Sequence, residues 1–244
     1  MKQLIKRTLA GLGYRIQSTK YIPKQLLESA NSRVIELADV IYGRMFEVGQ
    51  DLTFVQIGAF DGVTADPLHK YIGRHGWRGV LLEPQPEAAG QLRELYSRND
   101  RIMVLEAALD RERGRRTLFT VMSANVPTWA RGMASFQRDH IVKHAYLIPG
   151  LEGMIRESTV DCIRFDHVFA HLASERLDLL QIDAEGADAQ ILGLFPFDRV
   201  KPAIVHWEIK NLTVAEREEC LERLLRFGYR FALSGEEDMM AVLD

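Results

Sequence analysis

Cysteine is scarce in this sequence: Cys162 and Cys220 are the only two in 244 residues. Two are too few for a disulfide framework, and buried reduced thiols in a reducing cytosol are the expectation. Long apolar runs are missing as well. No stretch reaches the length of a membrane span, and no signal-peptide pattern appears. Nor is there an excess of basic residues, since 31 Lys and Arg stand against 34 Asp and Glu for a net charge of −3. General nucleic-acid affinity needs a basic face, so it is not expected. The remaining composition, 47% hydrophobic and 27% charged, can bury a full core as one domain or as a domain with a small extension.

The dinucleotide fingerprint G-x-G-x-x-G is also lacking, although a related pattern is present. Thr53-Phe54-Val55-Gln56-Ile57 is an apolar run that breaks into Gly58-Ala59-Phe60-Asp61-Gly62. That order reads as strand, tight turn and helix. Phe60 stands where the second glycine would let backbone approach a pyrophosphate, so a diphosphate is disfavoured. The next run, Gly79-Val80-Leu81-Leu82, ends in Glu83-Pro84. A carboxylate there can accept hydrogen bonds from both ribose hydroxyls of a nucleoside ligand. A nucleoside cofactor without phosphates fits this pairing, and S-adenosyl-L-methionine is the common one.

Along the chain, residues 1–50 read as a basic N-terminal segment with lead-in helices, and 51–244 as the main domain. Between Met1 and Lys24 every charge is basic, and Leu4, Ile5, Leu9 and Leu12 could line one side of a short helix. It could be a weak peripheral anchor at the inner face of an anionic membrane, leaving the protein otherwise cytoplasmic. Alternatively it is a solvated helix that packs on the domain or on a second copy in a homo-oligomer, a reading its short, moderately apolar character favours. Gln25 to Phe46 follows as one helix or two. Strands are expected at Thr53–Ile57, Gly79–Glu83, Arg101–Ala107, Arg115–Val121, Leu177–Ile182 and Ala203–Trp207. Helices are expected at Asp66–Arg74, Pro86–Ser97 and Ala215–Phe227, the last with Thr213 as N-cap and Glu216 closing a capping box. Tyr229–Leu233 and Met239–Leu243 read as a β-hairpin. Residues 122–157 are irregular and read as a substrate-facing insertion or lid. Together these predict an α/β, doubly wound, mostly parallel seven-stranded sheet with an antiparallel C-terminal hairpin.

Three segments carry a resemblance: Phe54–Gly62, Gly79–Pro84 and Leu179-Leu180-Gln181-Ile182-Asp183-Ala184-Glu185-Gly186-Ala187-Asp188. Over roughly Leu52 to Leu243 the chain resembles the FkbM family of S-adenosylmethionine-dependent methyltransferases. That resemblance implies a class I methyltransferase fold and methylation of hydroxyls on small-molecule natural products or on sugars and glycans. It also implies a cofactor site at Gln56, Gly58, Asp61, Gly62, Glu83, Pro84, Ala107, Ala108, Asp183 and Glu185. Gln56 departs from the Asp common in the family, which puts one contact to the cofactor's amino-acid end in doubt.

The acceptor hydroxyl must lose a proton, so a base, a metal ion or both are needed. Asp183 closes a central strand, and Glu208 closes the next one after Val205-His206-Trp207. Asp183, His206 and Glu208 are therefore the candidate catalytic residues, and Asp183 with Glu208 could hold Mg²⁺ or another divalent cation. Plainer readings stand beside these. Asp183 and Glu185 would favour a helix start through the dipole, and His206 would be a buried, satisfied imidazole. His140 and His144, at i, i+4, could form part of a lid or simply a solvated helix. Trp129 and Trp207 could stack on an acceptor or pack in the core. A dehydrogenase, or a non-catalytic domain with a methyltransferase-like fold, is the rival class.

Overall fold

The computed structural model describes residues 36–121, 126–172, 176–235 and 237–243. The basic segment 1–24, with its membrane and oligomer readings, lies outside them. Among the described residues no helix is long and apolar enough to cross a membrane.

The chain runs α1 (Leu37–Val48), β1 (Thr53–Ile57), α2 (His69–His75), β2 (Arg78–Leu82), α3 (Pro86–Leu95) and β3 (Ile102–Leu105). A second unit follows: β4 (Ala108–Leu109), β5 (Gly114–Val121), α4 (Thr128–Arg131), β6 (Ala134–Ser135), α5 (Arg138–Val142), α6 (Leu151–Met154) and β7 (Ile155–Ile163). The chain then returns through α7 (Phe165–Phe169), β8 (Leu179–Ile182), α8 (Asp188–Leu194), β9 (Ile204–Glu208), α9 (Val214–Arg226), β10 (Arg230–Ser234) and β11 (Asp238–Val242).

The main sheet has seven strands in the order β10-β11-β9-β8-β1-β2-β3. β3, β2, β1, β8 and β9 are parallel, and β11 joins antiparallel to both β9 and β10. All five residues of β1 are buried, as a central strand covered on both faces requires. Side-chain alternation divides the core in two. Val55, Ile57, Val80, Leu82, Leu180, Ile182, Val205 and Trp207 enter one cluster, while Phe54, Leu81, Leu179 and Ile204 enter the other. Trp207 and the two thiols are therefore core residues. α1 closes the second face through Leu37, Ile41 and Met45, spaced at i, i+4, i+8. α9 begins with the expected capping box, its Thr213 side chain and Glu216 each bonding the other's backbone N–H. Such caps contribute on the order of 1 kcal/mol.

The strand order reverses between β1 and β8. From β1 the chain first winds outward through β2 and β3, then resumes on β1's other side with β8 and β9. The helices that follow β1 and β8 consequently leave toward opposite sides, and a crevice opens at the carboxyl ends of these strands.

The second sheet, ordered β4-β7-β5-β6, was not legible as a separate unit. β5 and β7 pair antiparallel from Gly114–Cys162 to Val121–Ile155. The described part of 122–157 is thus built of short helices, β6 and the start of β7 rather than an open loop. β7 went unseen because only Val160 and Cys162 of its nine residues are buried. β3 likewise ends at Leu105, and Ala108–Leu109 transfer to the second sheet.

Candidate functional site

A cavity of about 440 Å³ occupies the crevice, within the usual size of a small-molecule site. Its floor is the turn after β1. Gly58 takes φ +77°, and a Cβ there would lie 1.7 Å from the Asp183 carbonyl oxygen. Only glycine lets this turn pass so close to the end of β8. Asp61 faces its own turn instead, accepting from the backbone N–H groups of Val63 and Thr64 and from the Thr64 hydroxyl. Burial raises its pKa, but these bonds outweigh burial and the net shift is downward. Gly62, at φ +73°, sits against Leu92, Leu95 and Tyr96. Neither Asp61 nor Gly62 lines the cavity; they shape and seat the turn that does.

Glu83 follows β2 and is only 3% exposed, not near solvent as a strand-end position suggests. Its Oε2 accepts from Phe60 N at 2.8 Å and its Oε1 from Gln85 N at 2.9 Å. Burial is the larger influence, and it pushes the carboxyl up to about 7. The Gln85 side chain also favours the charged form of Glu83, and the carboxylate keeps lone-pair capacity to accept from a ligand. Pro84, Ala107 and Ala108 continue the wall on this side, and the small alanines leave space beside β3.

The segment after β8 supplies the opposite wall. A helix does not open at Asp183, because Glu185 and Gly186 adopt φ +50° and +98° and α8 begins only at Asp188. The Asp188 carboxylate, fully buried, accepts from Ala184 N and Gly186 N and so holds this loop. Asp183 and Glu185 line the cavity, as do Glu208, Asp238 and Glu237. Asp183 opens onto the cavity yet is otherwise enclosed by protein, and burial pushes its carboxyl up to about 6. Burial, then neighbouring carboxylates, push Glu185 and Asp238 to about 8 and Glu208 to about 7. Burial disfavours the charge on Lys210, but its bond to Glu237 at 2.8 Å and the nearby Glu208 and Glu185 outweigh that.

The small sheet and its helices wall the remaining side with Arg116, Leu118, Met133, Ser135, Phe136, His140 and His144. Arg116 lies 4.0 Å over the Phe136 ring. Lys143 Nζ bonds Asn211 Oδ1 at 2.9 Å, while Asn211 Nδ2 bonds Glu208 at 2.8 Å. Residues 126–157 are therefore tied across the cavity to the segment after β9. Phe60, Ala65 and Glu185, the three non-glycine residues with positive φ among those described, all line this cavity. Backbone strain of this kind, on the order of 1–3 kcal/mol each, collects at functional sites.

The structure thus brings Gln56, Gly58, Glu83, Pro84, Ala107, Ala108, Asp183, Glu185 and Glu208 around one cavity. It leaves His206 out. That ring is 4% exposed, with Nδ1 2.8 Å from Gln181 Oε1 and Nε2 2.9 Å from Ser234 Oγ. Burial lowers its pKa to about 4, and both ring nitrogens are occupied. His206 is a core imidazole that holds the cavity-lining Gln181, not a base open to substrate. The cation expected at Asp183 and Glu208 is unsupported, since no group of three or more His, Cys, Asp or Glu among the described residues could hold a metal. The Trp129 side chain lies outside the described part. Sequence reading missed Asp66, Gln181, Lys210 and Asp238, all on the cavity wall. A signal existed for Asp238, which lies across the antiparallel pair from Glu208.

Comparison with known proteins bears on what this cavity serves. A search of curated proteins returns no match. Among solved structures, the chain is similar to methyltransferase FkbM from Methylobacillus flagellatus KT, at 14% identity and TM-score 0.50, covering 79% of this chain and 44% of that one. The chain therefore spans less than half the length of that protein. It is also similar to a precorrin-6y C5,15-methyltransferase from Geobacter metallireducens GS-15, at 13% identity and TM-score 0.41, covering 88% and 94%. Aeropyrum pernix fibrillarin in complex with S-adenosyl-L-methionine matches at 12% identity and TM-score 0.40, covering 79% and 65%. The model of the Methyltransferase FkbM domain matches residues 56–231, from the glycine turn through the main sheet to β10. With a match over most of its length and with the seven-stranded sheet described above, this chain belongs to the FkbM methyltransferase family.

Proposed function

We propose that this protein transfers a methyl group from S-adenosyl-L-methionine to a hydroxyl of a sugar, glycan or natural-product acceptor. The observation that carries the reading is the juxtaposition, in one cavity, of a nucleoside-type wall and a set of carboxyls with raised pKa. On one side, Glu83 has lone pairs free for two ribose hydroxyls, and Ala107 and Ala108 leave room for a flat ring. On the other, Asp183, Glu185, Glu208 and Asp238 converge near the end of β8.

Bound there, S-adenosyl-L-methionine would supply an electrophilic methyl group on a sulfonium. The chain's own part is to hold the acceptor in line and to take its proton. Positioning contributes most of the gain in reactions of this kind. A base works best with a pKa near the working pH, and Asp183 at about 6 and Glu208 at about 7 fall in that range. Asp183 is assigned the proton, because it lies at the switch point beside Gly58. Arg116, Phe136 and His140 on the facing wall would contact the acceptor.

The test has two stages. Calorimetric titration should give binding of S-adenosylhomocysteine and none of NADH. Methyl transfer is then screened over sugar nucleotides, glycans and polyketide-like alcohols, with Asp183→Asn beside the wild type. A fall in turnover of about a hundredfold or more is expected, with S-adenosylhomocysteine affinity much less affected. Near-normal turnover by Asp183→Asn would remove the assigned reaction centre. Loss of wild-type activity with chelator, restored by Mg²⁺, would reinstate the cation.

A further inference from the structure

Two buried acceptors in this site have no hydrogen-bond partner within normal distance among the described residues. One is Gln56 Oε1, on a residue 3% exposed one position before the end of the central strand; the other is Asp66 Oδ2. Both residues line the cavity. Leaving two such oxygens unpaired is unfavourable, so an unpaired couple in one place asks for a donor. The Asp66 carboxylate is held in place by its other oxygen, which accepts from Leu68 N at 2.6 Å and His69 N at 3.2 Å. The Gln56 amide stands beside Asp66 and favours its ionised form, against the larger opposing influence of burial. That contact fixes the amide's orientation, since the flipped form would set oxygen against carboxylate. Gln56 therefore turns its amide N–H toward Asp66 and leaves its own carbonyl oxygen unpartnered, while Asp66 Oδ2 has no donor within hydrogen-bond distance among the described residues.

The direction of the cofactor says what that donor is. Glu83 closes β2, and the alanine wall lies beyond it toward β3. A nucleoside anchored at Glu83 with its base on the alanines must run its remaining part the other way, over Gly58 toward β1 and β8. Gln56 and Asp66 belong to β1 and the turn after it, and Asp66 is close enough to Asp183 to act on its charge. The group that arrives carries a cationic amine with three N–H donors, which suits one amide oxygen and one carboxylate.

We propose that Asp66 and Gln56 together bind the α-ammonium of the cofactor's methionine end, Asp66 supplying the negative charge that Gln56 lacks. This rests on S-adenosyl-L-methionine being the cofactor. It answers the question that Gln56 raises: the charge is delivered from the following turn, ten residues along, instead of from the strand itself.

The experiment uses the full chain and calorimetry with three ligands: S-adenosylhomocysteine, its N-acetyl derivative, which has no ammonium, and 5′-methylthioadenosine, which has no amino-acid end. The wild type should prefer S-adenosylhomocysteine to the N-acetyl derivative by about ten- to hundredfold, the size of a charge-assisted contact. Asp66→Asn, which keeps an acceptor for Leu68 and His69, should collapse that ratio toward one. Its affinity for 5′-methylthioadenosine should stay unchanged, which also reports that the variant is folded. Equal wild-type affinity for the first two ligands overturns the proposal before any variant is made. An unchanged ratio in Asp66→Asn, or equal weakening of all three ligands, overturns it too. A wild type that binds none of the three instead overturns the cofactor reading.

Discussion

Glu83 offers a test in which stability and binding can be separated. Its two oxygens accept from Phe60 N and Gln85 N at 2.8 and 2.9 Å in a site that is 3% exposed. Glu83→Ala strands the buried Gln85 N–H and the part-buried Phe60 N–H, at up to about 1–3 kcal/mol each, or at most about 2–6 kcal/mol together. Against a typical domain stability of about 5–15 kcal/mol that is a severe loss. It corresponds to about 4–24 °C in Tm for a chain of this size. Glu83→Gln keeps one acceptor and sets an amide donor against the other N–H, so about half the penalty is expected. Both variants lose the charge-assisted bonds to ribose, about 1.5–3 kcal/mol, or roughly ten- to hundredfold in affinity. Thermal unfolding of the ligand-free protein measures the first effect, and calorimetry with S-adenosylhomocysteine on Glu83→Gln the second. A wild-type Tm for Glu83→Ala would refute the argument from backbone bonds. Wild-type affinity in a folded Glu83→Gln would refute the ribose assignment.

Two further outcomes follow from the same cavity. Burial raises Asp183 to about 6, Glu83 and Glu208 to about 7, and Glu185 and Asp238 to about 8, from ordinary values of 3.8–4.5. A folded pKa above the unfolded one gives stability that is complete below the unfolded value and lost as pH rises through the folded value. The Tm of the ligand-free protein should therefore fall from about pH 5 to about pH 8.5. S-adenosylmethionine, carrying an extra positive charge, should gain on S-adenosylhomocysteine over the same interval, and an affinity ratio independent of pH would contradict this. Gly58→Ala must move either the turn or the end of β8, because its Cβ would lie 1.7 Å from the Asp183 carbonyl oxygen. S-adenosylhomocysteine binding should be lost even where protein can be purified, and wild-type affinity would refute the close approach.

The main sheet was legible because its strands are buried on both faces. Runs such as Phe54-Val55 and Val80-Leu81-Leu82 are continuously apolar and are closed by glycine or an acidic residue, so their ends could be placed within a residue or two. The antiparallel hairpin was readable from Ser234–Asp238, a polar turn between two apolar runs. The second sheet gave no comparable pattern. β5 was placed as Arg115–Val121 from its apolar second half, but β7 keeps mostly polar side chains and shows no apolar signal, so the pairing that makes a second sheet could not be read.

For the site, what the sequence carried was position along a strand, and what it did not carry was the direction a side chain takes afterwards. Asp183 follows β8 at the switch point and Glu83 follows β2 beside it, so strand order alone delivers them to the crevice. His206 lies on the same face as Glu208 but a step further from the strand end, where neighbouring strands enclose it. It precedes Glu208 by two residues, and pairing with Met240 on β11 places it between Gln181 and Ser234. Asp61 and Asp66 make the contrast sharper. Both are acidic residues in one turn, five positions apart. Asp61 is consumed by three hydrogen bonds to Val63 and Thr64, whereas Asp66 spends one oxygen on the start of α2 and leaves the other buried and unpartnered among the described residues. Spacing could not tell them apart, because what separates them is which backbone N–H groups each meets in the folded turn, where Ala65 takes a left-handed φ of +55°. A strained backbone position of that kind leaves no mark in an alanine. It is the local geometry, not the residue type, that converts one carboxylate into a turn brace and the next into a candidate ligand for a cation.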